Sequence, residues 1–327
     1  MKMKHLIIGF TGGIGRATAK ALLEKNESVV ALVRNLQKAE KYAQGLPGEA
    51  GIELIQGDAA NLSDIEKALE NCSTLFYCAN VPYPNWQSEA RELLSVSMTA
   101  AINKKAKLVF PGNVYVFGKA QQSLVNEGHP HAASTKKGKI RIEMERMLVR
   151  ANKESGLCYS IVRMPDFYGP FVINGFSEKI FQNALRGKKI QWFGGLNVPT
   201  ELIYIEDGGE AMALAGLSSK GDEMQFNVPG YSDLPGEAGT TAKKFLKEIS
   251  KQAGKHSKIS SINIEFLVAL AGLFNPMAKE FKEMMYLKSE RLIMTGELFR
   301  TTFDTLPATP YQEGIRKTLE WTKNFFK

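Results

Sequence analysis

Between residues 4 and 163, short continuous apolar runs alternate with amphipathic stretches. Leu6–Ile8, Ser28–Val33, Ile52–Ile55, Ser73–Ala79, Lys107–Phe110 and Tyr159–Arg163 have the length and the β-branched or aromatic content of strands buried on both faces. Between them apolar residues recur at helical spacing. Ala17, Ala21 and Leu22 follow the first run, and a helix ending near Leu69 opens on Ser63 and Glu66, the spacing of a capping box. Two more helices are predicted over residues 86–104 and 141–152. Strand and helix alternating in this way predict a parallel sheet with helices on both faces, an α/β fold.

Past Pro165 the pattern changes. Aromatic residues become dense (Phe167, Tyr168, Phe171, Phe176, Phe181, Trp192, Phe193), the apolar runs shorten, and Gly and Pro break the helices. One strand–helix piece returns at 201–217, where Tyr204-Ile205-Glu206-Asp207 offers an acidic cap to a helix starting near Gly208. A last helix over 311–326 carries an apolar stripe, Ile315, Leu319 and Trp321, that reads as core.

The first run ends in Gly9-Phe10-Thr11-Gly12-Gly13-Ile14-Gly15 and a helix follows at once. That strand–turn–helix context gives the glycines meaning: Gly9 turns the chain off the strand, Gly12 lets backbone approach a pyrophosphate, and Gly15 lets helix and sheet pack closely. The helix N-terminus, with Thr11, Gly13 and Ile14, adds N–H donors and a positive dipole end. The fold is therefore expected to be a Rossmann-type doubly wound sheet that binds a dinucleotide. Residues 1–168 would form the binding domain, 201–222 would return to it, and 169–200 with 223–327 would form a smaller mixed lid on the substrate side.

Arg34 lies just past the second strand, where a basic residue accommodates a 2′-phosphate and an acidic one holds a ribose hydroxyl. NADP(H) is accordingly expected over NAD(H), with Asn35 and Lys38 assisting; an ordinary surface arginine is the alternative. Asp58, beside Ala59 at the end of the third strand, is placed to reach an adenine edge or to serve as a turn aspartate. Ala79 and Asn80 fall beside the ribose.

The chain has 327 residues, 44% hydrophobic and 23% charged, as in a water-soluble globular protein. The apolar run at Leu6–Phe10 is too short for a secretory signal, and the most apolar helical stretch, Phe266–Phe274, is half the length of a membrane span. Cys72, Cys78 and Cys158 form neither a disulfide framework nor a metal set, which suits a reducing, cytoplasmic setting. The net charge of +8 is spread over helices without a dense basic–aromatic block, so neither nucleic acid nor a membrane is the expected partner. His129-Pro130-His131 lacks companion ligands and reads as a surface loop, and no metal is expected.

Together these segments resemble an extended short-chain dehydrogenase/reductase of the NAD-dependent epimerase/dehydratase family. The resemblance covers nearly the whole chain and rests on residues 9–15, Gly57-Asp58, the stretch from Val109 to Gly118, and Arg163-Met164-Pro165-Asp166-Phe167-Tyr168-Gly169-Pro170. It implies a Ser or Thr after the fifth strand, a Tyr acid/base, and a Lys four residues beyond it that holds the ribose and lowers the tyrosine's pKa. Aligned on Phe117-Gly118, Asn113 occupies the serine place. Lys139, with Glu143 one turn on, fits the lysine, which puts Thr135 in the tyrosine place. Asn113 can still donate to a carbonyl oxygen, but an aliphatic hydroxyl cannot replace a phenol as acid. The resemblance also places Pro165, Asp166 and Phe167 beside the nicotinamide.

Tyr115, Tyr168, Asp166 and a bound water are candidates for the missing acid. Tyr115 heads the only Tyr-x-x-x-Lys in the chain, ending at Lys119, either as a coincidence of spacing or as an inward-turned donor; Tyr168 has a structural turn anchor as its alternative and Asp166 a loop cap. The expected function is an NADP(H)-binding oxidoreductase or epimerase acting on a small carbonyl, sugar or sugar-nucleotide substrate, with Phe171, Trp192 and Phe193 excluding water. A catalytically silent NADP(H) sensor is the alternative. Arg186, Lys188 and Lys189 in the lid suit a nucleotide-sugar or a solvated helix end, and the helices 86–104 and 138–152 offer a homodimer face.

Overall fold

Within the first apolar run successive side chains part company: Leu6 and Ile8 enter one core, and Ile7 enters another. That is the period-two signature of a strand covered on both faces. In the computed structural model, which describes residues 3–48, 51–232, 239–262 and 283–326, seven such strands form one parallel sheet. They are β1 (Lys4–Ile8), β2 (Ser28–Val33), β3 (Ile52–Gln56), β4 (Cys72–Tyr77), β5 (Lys107–Asn113), β6 (Tyr159–Met164) and β10 (Met224–Asn227), in the order β10-β6-β5-β4-β1-β2-β3. The order reverses direction between β1 and β4, and the crevice outside the carboxyl ends at that switch is where such sheets bind ligands.

Helices α1 (Gly13–Glu24), α2 (Leu36–Ala43) and α7 (Ile205–Leu217) bury residues in one core; α3 (Leu62–Ala68), α4 (Trp86–Lys104) and α5 (Lys136–Ser155) bury residues in the other. A third cluster is the lid, assembled from β7 (Asp166–Tyr168), α6 (Ser177–Leu185), β8 (Ile190–Phe193), β9 (Leu202–Tyr204), α8 (Ala242–Gln252), β11 (Ile259–Ile262) and α11 (Tyr311–Phe325). β7 pairs with β9 and β8 with β11, both parallel. Between β11 and α11 in sequence lie α9 (Tyr286–Ser289) and α10 (Glu297–Phe303).

Several local expectations change. Residues 224–227 are the edge strand of the main sheet and no part of the lid, because Phe226 packs on Phe299 and Phe303 of α10 in the core beneath α7. α3 is capped by Asn61, whose side chain accepts the Ser63 N–H at 3.0 Å, so Ser63 lies inside the helix. α7 starts at Ile205, and Asp207 accepts from the N–H and hydroxyl of Thr309 at 2.7 and 2.6 Å, tying α7 to the start of α11. His129 is buried, accepting the Gln121 N–H at 3.1 Å, and His131 lies 3.7 Å from Glu145. Cys72 and Cys78 are buried and Cys158 is half-buried. The stretch 266–274 lies outside the described residues. Among those that are described, no helix is long and apolar enough to cross a membrane, and no group of three potential metal ligands occurs.

One buried ion pair joins α5 to the sheet. Arg163 on β6 donates from Nε to both Glu145 oxygens at 3.1 Å and from a terminal nitrogen at 2.8 Å, with side chains only 1% and 2% exposed. Glu145→Ala should destabilise the protein by about 3–5 kcal/mol, since a buried guanidinium loses its counter-charge. The double variant Glu145→Leu/Arg163→Met should lose less than the two single variants combined. Urea unfolding measures both; additive losses would show that the two side chains do not act as a unit.

Candidate functional site

At the switch point the backbone is shaped by what cannot fit. Gly9 adopts φ +88°, and a Cβ there would lie 2.5 Å from the carbonyl of Cys78 at the end of β4. A Cβ on Gly15 would lie 2.3 Å from the Gly9 oxygen, so the start of α1 can close on the turn only with glycine. The Gly12 N–H donates to Gly9 O at 3.0 Å. Gly12 then caps α1 with no side-chain hydrogen bond and no acidic residue in the first turn. The first N–H groups of α1 are thus left to an incoming anion, the arrangement that holds a pyrophosphate. Thr11 is half-buried here. Gly13 lies against the Phe171 backbone, and Ile14 packs with Phe167, which brings the fingerprint and the segment after β6 together.

Arg34 is exposed immediately beyond β2 and has no ion-pair partner among the described residues. Asn35 is occupied as the cap of α2, accepting the Lys38 N–H at 2.9 Å. Asp58 is exposed and closes a turn, accepting the Ala60 N–H at 3.0 Å, with Ala59 half-buried beside it. Ala79 and Asn80 follow β4 at the switch point, Asn80 accepting the Val81 N–H at 3.0 Å.

Across the carboxyl ends of β4, β5 and β6 the side chains differ from those expected. Thr135 is the N-cap of α5; its hydroxyl accepts the Gly138 N–H at 3.1 Å. Lys139 and Glu143 point outward, and Glu143 pairs with Arg91 at 2.9 Å on the surface. The inward face of α5 carries Lys137, Arg141 and Glu145. The buried pair four residues apart is therefore Lys137 and Arg141, a shift of two positions from the sequence reading. Lys137 is 1% exposed, with its ammonium 2.8 Å from Glu283 and 5.1 Å from the centre of the Tyr83 ring. Glu283 also accepts the N–H groups of Lys136 and Lys137; although partial burial opposes it, these bonds hold its carboxyl below its usual range. Arg141 is buried against the Phe110 ring at 4.6 Å and donates to the Pro111 carbonyl.

Asn113 ends β5, with its side-chain oxygen accepting the Tyr115 N–H at 3.1 Å. Its amide N–H groups remain as donors. The 3₁₀ turn at Val114–Phe117 then separates Tyr115 from Lys119: Tyr115 turns inward, and Lys119 is exposed and pairs with Glu290. The Tyr115 hydroxyl lies 3.0 Å from that of Tyr83. Burial, reinforced by the charges of Tyr83 and Asp166, pushes the Tyr115 phenol well above its ordinary value, against the opposing pull of Arg141. Tyr83 moves the same way, chiefly through burial. Both phenols hold their protons through neutral pH.

Pro165 is buried, and Asp166 on β7 pairs with Lys288, whose ammonium stands 4.9 Å from the Trp192 ring. Tyr168 is drawn away from this region. It is 2% exposed in the lid core, 5.1 Å from Phe245, with its hydroxyl against Gly314. Phe171 stacks with Tyr42, Trp321 and Phe325 beneath Arg16, while Trp192 and Phe193 pack on Phe176, so the three aromatics do not form one wall.

Tyr83, Lys137, Arg141, Glu283 and Lys288 escaped the sequence reading. For the α5 pair a signal existed: Ile140, Met144 and Leu148 form the buried stripe, and Lys137 and Arg141 flank it.

The sequence profile of the NAD dependent epimerase/dehydratase family matches residues 5–228. The chain is 24% identical to a 4-hydroxy-2-methyl-3-oxo-4-farnesyl-3,4-dihydroquinoline-1-oxide ketoreductase of Stigmatella aurantiaca, covering 83% of this chain and 79% of that one. It is 21% identical to a UDP-N-acetyl-alpha-D-glucosaminuronate decarboxylase of Bacillus cytotoxicus over 98% of both. Its fold superposes on the UDP-glucuronic acid 4-epimerase of Bacillus cereus in complex with NAD with a TM-score of 0.79, at 17% identity and 99% and 98% coverage.

A Cβ at Gly12 would meet only Gly9 O, at 3.3 Å, a tight contact that a shift of a few tenths of an ångström in the turn relieves, while the branches of a valine would crowd the anion position. Gly12→Val should keep its melting temperature within a few degrees and lose dinucleotide binding. Fluorescence titration with NADPH and NADH reads this directly; unchanged affinity would remove the fingerprint from the binding site.

Proposed function

The chain belongs to the NAD dependent epimerase/dehydratase family, and from that premise we propose that it is an NADP(H)-dependent oxidoreductase. It would reduce a small carbonyl-bearing substrate, a sugar, sugar nucleotide or flat ketone, with a proton donor other than the usual tyrosine. The observation that carries this reading is the hydrogen-bonded hydroxyl pair of Tyr83 and Tyr115 at the carboxyl ends of β4 and β5. The nicotinamide, when bound, supplies or takes up the hydride. The chain's own residues do the rest. The Asn113 amide donates to the substrate oxygen and polarises it. The half-buried Tyr83 hydroxyl gives the proton that the oxygen needs as the carbon is reduced and takes one back from solvent water, with the buried Tyr115 hydroxyl behind it holding it in place. Buried phenols that keep their protons suit reduction better than oxidation, which needs a phenolate to accept one. Lys137 and Arg141 hold the floor of the site positive, favouring an oxygen that gains negative charge.

The preference for NADP(H) rests on Arg34, exposed and without an ion-pair partner among the described residues. The sensor reading has its own support: α5 carries no tyrosine, its inward face holds Lys137, Arg141 and Glu145 instead, and the Thr135 hydroxyl is occupied by its cap. Turnover separates the two readings.

With a panel of ketones, aldehydes and nucleotide-linked 4-ketosugars, NADPH oxidation followed by absorbance should reveal turnover. Tyr83→Phe should lower kcat by about 10²-fold or more. Tyr115→Phe should lower it less and leave KM unchanged. Because burial raises both phenols, the reduction rate should stay flat through neutral pH and fall only in alkali. Tight NADPH binding without turnover across the panel would establish the sensor instead.

Arg34→Asp should move cofactor preference toward NADH, by about 10-fold or more if the guanidinium makes a charge-assisted contact with the 2′-phosphate. The ratio of NADPH to NADH dissociation constants before and after the change is the readout; an unaltered ratio would take the role from Arg34.

A further inference from the structure

We propose that the outer face of the lid carries a second anion site, separate from the dinucleotide fingerprint, that takes a small polyphosphate-bearing molecule. α8 buries Ala242, Phe245, Leu246 and Ile249 and turns Lys243, Lys247 and Lys251, spaced four apart, to the outside. Lys255 and Lys258 follow on the connection to β11, and the five lysines line one concavity of about 650 Å³, in the size range of small-molecule sites. No carboxylate is among its described lining residues. Lys251 has Glu248 at 4.0 Å; the other four lysines have no ion-pair partner among the described residues.

The patch continues across the small sheet. The Ile190 N–H donates to Lys258 O at 2.9 Å, which sets the exposed Lys188 and Lys189 beside Lys258. A Cβ on Gly187 would come within 3.7 Å of Lys255 Cβ. So many ammonium groups around one hollow repel one another, and a multivalent anion is what relieves that repulsion. A second observation points the same way: Ser257, 6% exposed and part of the same lining, has its hydroxyl oxygen buried without a hydrogen-bond partner among the described residues. A phosphate oxygen would satisfy it.

The chemistry of the hollow selects among anions. Lysines are mobile point charges suited to a phosphate chain and lack the fork that recognises a single carboxylate. Among its described lining residues His256 is the one ring, which offers little for stacking nucleobases, and Leu196 and Ile259 are the large apolar ones, too few to enter a bilayer. The site begins at the amino ends of β8 and β11. Trp192, with Lys288 over its ring on the Asp166 side, lies two residues further along β8 from Ile190, about 7 Å at strand rise.

The test is calorimetric titration of the full chain with inorganic tripolyphosphate at moderate salt. With the fingerprint site filled by excess NADPH, wild-type protein should bind one equivalent, Lys247→Glu/Lys255→Glu should bind about 10-fold or more weakly, and Arg34→Asp should bind as the wild type does. Thermal unfolding checks that the double variant is folded; if it is not, Lys251→Gln/Lys258→Gln takes its place with the same expected loss. ATP run in parallel tells a nucleotide from a bare phosphate chain, since tighter binding of ATP assigns the nucleotide. Equal affinity of wild type and lid variant, absence of binding, or loss in Arg34→Asp alone would overturn the proposal. So would tighter binding of a single-stranded RNA oligonucleotide or of phosphatidylserine vesicles than of tripolyphosphate.

Discussion

Three charged side chains four residues apart on one face of α5 impose their needs on everything around them. Lys137, Arg141 and Glu145 are all buried, and a buried charge without a partner costs several kcal/mol. Each partner comes from a different part of the chain: Glu283 for Lys137, the Pro111 carbonyl and the Phe110 face for Arg141, and Arg163 for Glu145. α5 therefore settles only when β5 and β6 are in register and the segment around residue 283 has come back across it. The same contacts that satisfy the helix shape the crevice, since Lys137 stands over Tyr83 and Arg141 faces Tyr77, Tyr83 and Tyr115.

This inward face changes the chemistry open to the crevice. A tyrosine with a lysine one turn on titrates low because the ammonium stabilises the phenolate. Here Arg141 exerts that pull on Tyr115 and Tyr83, but burial outweighs it at both, and Asp166 pushes the same way as burial. Asp166 is itself paired with Lys288. The balance is protonated phenols beside fixed positive charge, an arrangement that donates protons and stabilises developing negative charge on oxygen.

The scaffold was largely legible in the sequence because its signals are redundant over many residues. β2 (Ser28–Val33) and α4 (Trp86–Lys104) have the bounds that periodicity predicts, since a run of buried β-branched residues or five turns of amphipathic helix averages out local noise. The glycine turn was legible for another reason: its residues meet a steric demand that only glycine satisfies, as at Gly9 and Gly15. The α5 register was not. A basic residue with a glutamate one turn on occurs at Lys139–Glu143 and again two residues later at Arg141–Glu145, and the two readings differ only in which face is buried. The stripe of Ile140, Met144 and Leu148 decides it, whereas the charge pattern does not. Tyr83 and Glu283 were beyond reach because their roles depend on contacts 32 and 146 residues away in the chain.

The distribution of positive charge follows a division between two kinds of anion recognition. At the fingerprint the donors are backbone N–H groups and a helix end, rigid and placed by glycines, and Arg34 adds one planar fork at a distance set by β2. Such a site discriminates by geometry. On the lid the donors are ammonium groups on flexible stems around an open hollow, and these discriminate by charge number alone. A net charge of +8 treated as a single property suggests a nucleic-acid partner. Divided between the two proposed sites it suits phosphate recognition of two kinds, one through fixed backbone and one through mobile side chains, and the second would be screened by salt far more than the first.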